Sequence, residues 1–119
     1  MSHLVTLKAR FQDVAAVEAA CRRLNLPAPV KGTARIYSTE ATGLIVQFPG
    51  WTFPAVIDVT SGTVAYDNFN GNWGADVEIQ KFMQMYAVEA AKIEARRKGH
   101  TCSEQLLADG SIKLAIEVS

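Results

Sequence analysis

Apolar and polar residues alternate through much of the first half of the chain, which is the pattern of half-buried β-strands. Residues 3–11 alternate in this way and predict the first strand. Residues 12–29 break the alternation: Asp13 has the position of a helix N-cap, and Asn25 followed by two prolines ends the helix. The apolar residues that recur at helical spacing, and so predict the buried stripe of this helix, are Val14, Val17, Cys21 and Leu24.

Residues 33–68 return to the strand pattern. Short runs rich in β-branched and aromatic residues are separated there by Pro-Gly and Ser-Gly turn signals. This spacing predicts several short strands joined as consecutive hairpins.

The last third of the chain predicts a long helix followed by a hairpin. The helix begins with Asp76 as its cap and ends just before Gly99, and the hairpin turns at Asp109 and Gly110, a dipeptide that favours a primed turn. The apolar stripe predicted for this helix is Ile79, Phe82, Met83, Tyr86, Ala90 and Ile93.

The predicted element order is therefore β-α-β-β-β-β-α-β-β, in a single domain over residues 1–119. Consecutive hairpins imply antiparallel pairing, and two amphipathic helices need a sheet face to cover. The sequence predicts an α+β fold in which a twisted, mainly antiparallel sheet carries both helices on one face.

Composition agrees with such a domain, and the charge balance bears on the kind of partner it binds. The 119 residues are 49% hydrophobic and 20% charged, and the 12 basic residues balance the 12 acidic ones. No overall field therefore favours nucleic acid or an acidic membrane surface. No apolar run approaches the roughly 20 residues that span a bilayer, and residues 1–11 alternate where a signal peptide would be continuously apolar. We expect a soluble, reduced, cytoplasmic protein without a membrane segment.

Residues 66–74, YDNFNGNWG, resemble no other part of the chain and raise the question of a metal loop. Asn68, Asn70 and Asn72 alternate like the first ligands of a calcium loop. However, Trp73 stands where that loop requires glycine, and Ile79 where it requires glutamate. The histidines and cysteines of the chain show no diagnostic ligand spacing either. We expect no metal and no cofactor.

The sequence also contains no recognisable catalytic arrangement. It lacks a phosphate-binding loop, a dinucleotide motif and a nucleophile motif, and Cys21 falls on the predicted core stripe, which favours inert packing. Acid–base chemistry stays open, because several carboxylates have no assigned place: Glu40, Asp58, Asp67 and Glu104. These features favour a binding protein over an enzyme.

Aromatic residues lie at predicted strand ends and turns, next to asparagine and glycine. This combination is typical of protein-binding surfaces, because rigid rings supply contact area and amides supply adaptable hydrogen bonds. The alternative interpretation is that the rings close the open end of the core while the asparagines only turn the chain. The candidate partner-binding residues are Trp51, Phe53, Asp67, Asn68, Phe69, Asn70, Asn72 and Trp73.

Three cations end the long helix: Arg96, Arg97 and Lys98. They are candidate contacts for phosphate groups, which makes nucleic-acid binding a weaker alternative function. Cations at a helix C-terminus also stabilise the helix dipole, and the zero net charge favours this second interpretation.

Several segments together resemble one family. They are MSH at the start, YDNFNGNWG, YAVEAAKIEARRKG and EQLLADGSIKLAI, and the resemblance covers nearly the whole chain. The family is a domain-of-unknown-function family typified by the conserved hypothetical reading frame thirty-five of plastids and cyanobacteria. The resemblance implies neither an established activity nor agreed catalytic residues. Genes of this family tend to lie near that of an AAA-type ATPase, which implies an ATPase system of this type as a partner.

The sequence thus favours a small accessory protein that binds a protein partner through its aromatic turns. Free sheet edges add self-association into a homo-oligomer as a second expectation. The main alternative is a small-ligand-binding or enzymatic domain with a pocket near residues 66–76. There the long helix would offer its first amides to an anion, although Asp76 and Glu78 oppose that charge.

Overall fold

A computed structural model of the chain describes residues 5–8 and 11–118. The α+β class and the element order predicted from the sequence are confirmed. The elements within this part of the chain are β1 (Val5–Lys8), α1 (Val14–Arg23), β2 (Val30–Ile36), β3 (Thr39–Val46), β4 (Ala55–Asp58), β5 (Thr63–Tyr66), a 3-10 turn (Phe69–Gly71), α2 (Asp76–Arg97), β6 (Thr101–Leu106) and β7 (Ile112–Glu117).

Five strands form the main sheet in the order β1-β5-β4-β3-β2, and each neighbouring pair is antiparallel. The register places Leu44 opposite Ile57, and Ile57 opposite Val64, so these side chains share one face. The buried core on this face includes Val17 of α1 and Phe82 of α2 as well. Both helices therefore pack on the same side of the sheet, as predicted.

The expectation of one continuous sheet is wrong for the C-terminal hairpin, because β6 and β7 form a separate two-stranded sheet. Only residues 98–100 join α2 to β6, so the hairpin starts beside the helix end and runs back along the helix. Gln84 Nε2 of α2 donates to the carbonyl of Gly110 at the hairpin turn (3.2 Å). Val88 lies one helical turn beyond Gln84 on the same side and is buried, although it does not belong to the main core.

The turn of this hairpin is longer than the predicted primed turn. Leu107 N donates to Ser111 O (2.9 Å), Gly110 N donates to Leu107 O (3.0 Å), and Gly110 has φ 88°. This is a three-residue loop closed by a left-handed glycine, a common alternative to the two-residue turn. Asp109 Oδ1 accepts hydrogen bonds from Ser111 N (2.9 Å) and Ser111 Oγ (2.6 Å), which fixes the loop.

The helix ends largely follow the predictions. Asp13 caps α1 by accepting a hydrogen bond from Ala16 N (3.3 Å), and Asn25 ends that helix in the left-handed conformation with φ 56°. Val14 departs from the predicted stripe and is 42% exposed. The cap of α2 also differs: Ala75 is the N-cap residue, and Asp76 lies inside the first turn.

The predicted apolar stripe of α2 is confirmed. Ile79, Phe82 and Tyr86 are buried, and Met83, Ala90 and Ile93 are partly buried against the same core. Within the described chain, no helix is both long and apolar enough to cross a membrane.

The hairpin β2–β3 curves back over the outer face of the main sheet. Thr39 lies seven residues from Val46, a distance of roughly 23 Å along a straight strand. Nevertheless, the ring centroid of Tyr37 at the hairpin tip is 6.2 Å from that of Phe53. Phe53 lies two residues before Ala55, which pairs with Val46 at the far end of the strand. The strand passes close to β4 at Gly43, where a Cβ atom would lie 2.2 Å from the Ile57 carbonyl oxygen. Glycine at this position therefore allows the bend.

This curvature explains two buried residues on the outer face. The strand register puts Ile36 and Val56 on the face opposite to the helices, yet they are 1% and 2% exposed. The outer face of the sheet therefore carries buried apolar residues of its own, on the side to which the hairpin tip returns.

Candidate functional site

The corner between β5 and α2 is a turn held by its own polar side chains. Asp67 is buried, and its Oδ1 accepts from Phe69 N (3.1 Å). Asn68 is buried too, and its Nδ2 donates to the Gly74 carbonyl (3.0 Å) and to Asp76 Oδ1. These two predicted site residues therefore face into the protein and fix the corner.

Trp51 is also directed inward and is 6% exposed. Its indole Nε1 donates to the carbonyl of Ala75, the N-cap of α2 (3.1 Å). A Cβ atom at Gly74 would lie 2.5 Å from the indole ring, so only glycine allows this contact. Trp51 thus fastens the start of α2 to the sheet, and it leaves little surface for a partner.

Four half-buried aromatic rings pack together beside this corner, and we call them the ring cluster. Trp73 is at its centre, with ring centroids 4.7, 4.9 and 5.7 Å from those of its three neighbours. These spacings are within the range of favourable aromatic pairs. The members of the ring cluster are Tyr37, Phe53, Phe69 and Trp73.

The ring cluster joins three separate loops. Phe53 belongs to the loop between β3 and β4, and Thr52 N in the same loop donates to the Trp73 carbonyl (2.8 Å). Tyr37 comes from the tip of the β2–β3 hairpin, where Arg35 Nε donates to its carbonyl (2.7 Å). Hydrogen bonds to the carbonyls of Trp73 and Tyr37 therefore help to hold the main chain that carries these two rings.

Two of the four rings sit on strained backbone. Tyr37 has φ 55° and Phe69 has φ 48°, and Asn70 next to it has φ 52°. Asparagine tolerates this conformation, whereas bulky aromatic residues rarely adopt it. Strain of this kind concentrates at functional positions, so we treat its coincidence with the ring cluster as a sign of function.

The remaining predicted residues are neighbours of cluster members in the chain: Asn70 follows Phe69, and Asn72 precedes Trp73. Asn70 and Asn72 are exposed, and Asn72 Nδ2 donates to the Phe69 carbonyl (2.8 Å). The eight predicted residues thus divide into a buried set of three that builds the corner and a second set of three half-buried rings and two exposed asparagines.

Sequence reasoning missed Tyr37. The segment TARIYS reads as an ordinary strand, and only the backward curve of the hairpin brings its tyrosine to Trp73. The one local signal was a glycine in each strand of the hairpin, Gly32 and Gly43, which the register places opposite one another.

A shallow cavity of about 400 Å³ lies on the helix side of the corner. It matches the position predicted for a ligand pocket near residues 66–76. Its walls are Tyr66, Asn68, Asn70, Asp76, Ile79, Gln80 and Met83. Asp76 is the charged residue among these, so the cavity suits a neutral or cationic ligand better than an anion.

The basic end of α2 is partly neutralised by one carboxylate. Glu94 lies 3.2 Å from Arg97 Nη1 and 3.6 Å from Lys98 Nζ, and Arg96 Nε donates to the Lys92 carbonyl (3.5 Å). An open groove of about 550 Å³ between the two helices is lined by Arg22, Arg96 and Arg97, with Glu89 at its side.

A second charged cluster, which sequence reasoning also missed, ties β6 to both helices. Arg23 Nη1 of α1 lies 2.5 Å from Glu104 Oε1 of β6 and 3.5 Å from Glu89 Oε1 of α2. Lys92 Nζ lies 3.7 Å from Glu104 and 3.8 Å from Glu89. The hydrogen bond from Arg23 lowers the pKa of the Glu104 carboxyl below its ordinary value, and the same bond raises the pKa of Arg23. We call these four residues the ion-pair cluster.

The two cysteines differ in burial. Cys21 is buried as predicted, and burial raises its thiol pKa to about 11, which leaves almost no reactive thiolate. Cys102 is half-buried, and both thiols are free. Among the described residues, no three His, Cys, Asp or Glu side chains come together in a way that could hold a metal ion.

Comparisons with protein-family models, with curated proteins and with solved structures find no match to this chain. The family resemblance drawn from the sequence segments therefore stays a prediction.

Proposed function

We propose that this chain is an accessory protein that binds a protein partner through the ring cluster. The observation that carries the proposal is the central position of Trp73 among three further half-buried rings, two of them on strained backbone. An aromatic group placed only to fill a core would be covered more completely, as Trp51 is.

The physical argument rests on rigidity. Rings that already pack on one another lose little conformational entropy when a partner binds, and tryptophan and tyrosine are enriched among residues that dominate binding energy. Asn70 and Asn72, exposed and next to Phe69 and Trp73 in the chain, offer amides for adaptable hydrogen bonds. Together these features suit a partner segment that inserts an apolar side chain between polar contacts.

The family resemblance supplies the first partner to test, an AAA-type ATPase system. An accessory role is compatible with the chain, since its own sequence contains no phosphate-binding loop that would bind the nucleotide.

Site-specific photo-crosslinking tests the proposal. A photoreactive amino acid at Ser38 or Thr52, which are exposed on two sides of the ring cluster, should capture the partner in cells of the native host. The same group at Glu18 on α1 is the control, because that exposed position lies on a different element. The captured protein is then purified and its affinity for the chain is measured directly.

Two ring variants then decide the question. Phe53→Ala and Phe69→Ala remove peripheral rings, and each should weaken binding by at least about tenfold, the usual loss for an interface hot spot. Val77→Ala is the matched control, since Val77 is an exposed apolar residue near the corner (47% exposed). The proposal fails if both ring variants remain folded and bind the captured partner as tightly as the parent chain.

The cavity on the helix side favours a second candidate function, binding of a small neutral or cationic ligand. Replacement of Gln80 by Trp should fill part of this cavity, because Gln80 is exposed on its wall. If a ligand identified by screening loses affinity for Gln80→Trp but not for Phe53→Ala, the cavity is the functional site.

Nucleic-acid binding through Arg96, Arg97 and Lys98 is a weaker alternative. Contacts to phosphates would make the affinity fall steeply with salt. A fluorescent single-stranded oligonucleotide whose binding is absent, or insensitive to salt and to Arg96→Ala, would remove this alternative.

A further inference from the structure

The outer edge of β7 is open to another strand. Within the described residues, β7 pairs with β6 alone, so the small sheet has two strands. Two-stranded sheets are marginally stable in water, and an edge strand presents unpaired amide and carbonyl groups. An added strand on this edge would satisfy those groups.

Exposed apolar side chains are concentrated in the same hairpin. Of the seven large hydrophobic residues that are exposed in the described chain, four lie between positions 106 and 118. They are Leu106 (74% exposed), Leu107 (37%), Ile116 (46%) and Val118 (76%). In β7, the alternation of side chains directs Ile112, Leu114 and Ile116 to one face and continues this face at Val118.

The turn determines which main-chain groups point away from β6. Leu107 N donates to Ser111 O, so these two residues form a hydrogen-bonded pair. Such pairs alternate along an antiparallel ladder, and Lys113, Ala115 and Glu117 therefore direct their main-chain groups towards β6. The even-numbered residues 112–118 direct theirs to the open edge.

Two copies of β7 have complementary side chains when they run antiparallel with Ala115 of one opposite Ala115 of the other. In an antiparallel pair centred there, Leu114 opposes Ile116 of the second copy, and Lys113 opposes Glu117 of the second copy. The outward main-chain groups then meet one another as hydrogen-bonded pairs. We propose that two copies of this chain pair through β7 about a two-fold axis at Ala115, which forms a continuous four-stranded sheet.

Charge complementarity identifies a second copy as the occupant of this edge. Two attractive Lys–Glu pairs form on the polar face, while apolar residues meet apolar residues on the other. The edge strand β2 of the main sheet behaves oppositely: pairing about Thr33 would place Lys31 against Arg35 of the second copy. The interface shares no residue with the ring cluster, so the dimer keeps that surface available.

Sedimentation equilibrium over a range of protein concentrations tests the proposal. The parent chain should form a dimer. Lys113→Glu and Glu117→Lys should each raise the dimer dissociation constant by at least about tenfold, because two attractive pairs become repulsive. Lys31→Glu on β2 is the control and should leave the dimer unchanged.

Mixing the two charge variants is the decisive step. Equal amounts of Lys113→Glu and Glu117→Lys should restore the dimer as a heterodimer, because each lysine then opposes a glutamate. Both positions are exposed, so circular dichroism should show that each variant remains folded. A parent chain that stays monomeric, or variants that do not recover on mixing, would overturn the proposal.

A disulfide cross-link fixes the register. In a Cys102→Ser background, Ala115→Cys places one thiol opposite its own copy across the two-fold axis, and mild oxidation should yield a covalent dimer. Lys113→Cys in the same background should yield none, because position 113 opposes position 117. Equal cross-linking of the two variants, or none with Ala115→Cys, would overturn this register.

Discussion

Two hairpins extend from the helix–sheet core, and they are held in place by different forces. The tip of β2–β3 is fixed by apolar contact, since Tyr37 packs on Trp73 and Ile36 is 1% exposed. The hairpin β6–β7 has no residue this deeply buried, and the ion-pair cluster ties it to both helices through Glu104.

This difference predicts different responses to solution conditions. Apolar burial scales with the area removed from water and is insensitive to mild changes of pH and salt. Ion pairs that are partly exposed contribute less, and they weaken when salt screens them or when acid protonates the carboxylate. The two hairpins are therefore expected to differ in stability and in the dependence of that stability on pH.

The largest expected effect comes from removing the central ring. Trp73→Ala should lower the free energy of unfolding by about 3 kcal/mol, at the low end for a tryptophan truncation because Trp73 is only half-buried. Urea denaturation measures this change. In hydrogen exchange, the amides of β2–β3 should lose protection before those of β6–β7.

The control for this prediction is Val77→Ala, at an exposed apolar residue on the first turn of α2. Its effect should stay within about 1 kcal/mol, since little apolar surface is lost there. A Trp73→Ala protein as stable as this control would mean that the ring cluster does not anchor the hairpin.

A smaller effect separates the two contributions of Tyr37, its ring and its strained backbone. Both Tyr37→Ala and Tyr37→Gly lose the ring contacts, but glycine adopts φ 55° without strain. Tyr37→Gly should therefore be more stable than Tyr37→Ala by about 1 kcal/mol. Equal denaturation midpoints for the two variants, or a more stable alanine variant, would contradict the strained turn.

Local patterns were sufficient to predict most elements of the fold. Asp13 caps α1 as expected because a cap depends on the few residues that follow it. The stripe of α2 was correct for the same reason: helical spacing alone places Ile79, Phe82 and Tyr86 on one side.

Contacts between distant segments were not predictable in this way. Arg23 and Glu104 are 81 residues apart, and no local pattern links them. The separate C-terminal sheet and the contact of Tyr37 with Trp73 likewise depend on how whole elements pack. In the candidate site, sequence position alone also gave no means to separate the buried Trp51 from the half-buried Trp73.

The smallest effect tests the ionic attachment of β6–β7. Arg23 lowers the pKa of Glu104 below its ordinary value of 4.5. The ionised carboxylate therefore stabilises the fold above pH 4.5, and this contribution is lost as the pH falls through the lowered pKa that Glu104 has in the folded state. Amide protection factors in β6–β7 should therefore decrease in acid by an amount equivalent to about 0.5–1 kcal/mol, the range for exposed ion pairs, while those of β2–β3 change less. Glu104→Gln should lower the protection of β6–β7 already at neutral pH, and so remove the extra sensitivity of this hairpin to acid. Glu94→Gln, at a surface carboxylate that pairs within α2, should leave that sensitivity unchanged. Equal acid sensitivity of the two hairpins in the parent chain would show that the C-terminal hairpin, too, is held mainly by apolar contact.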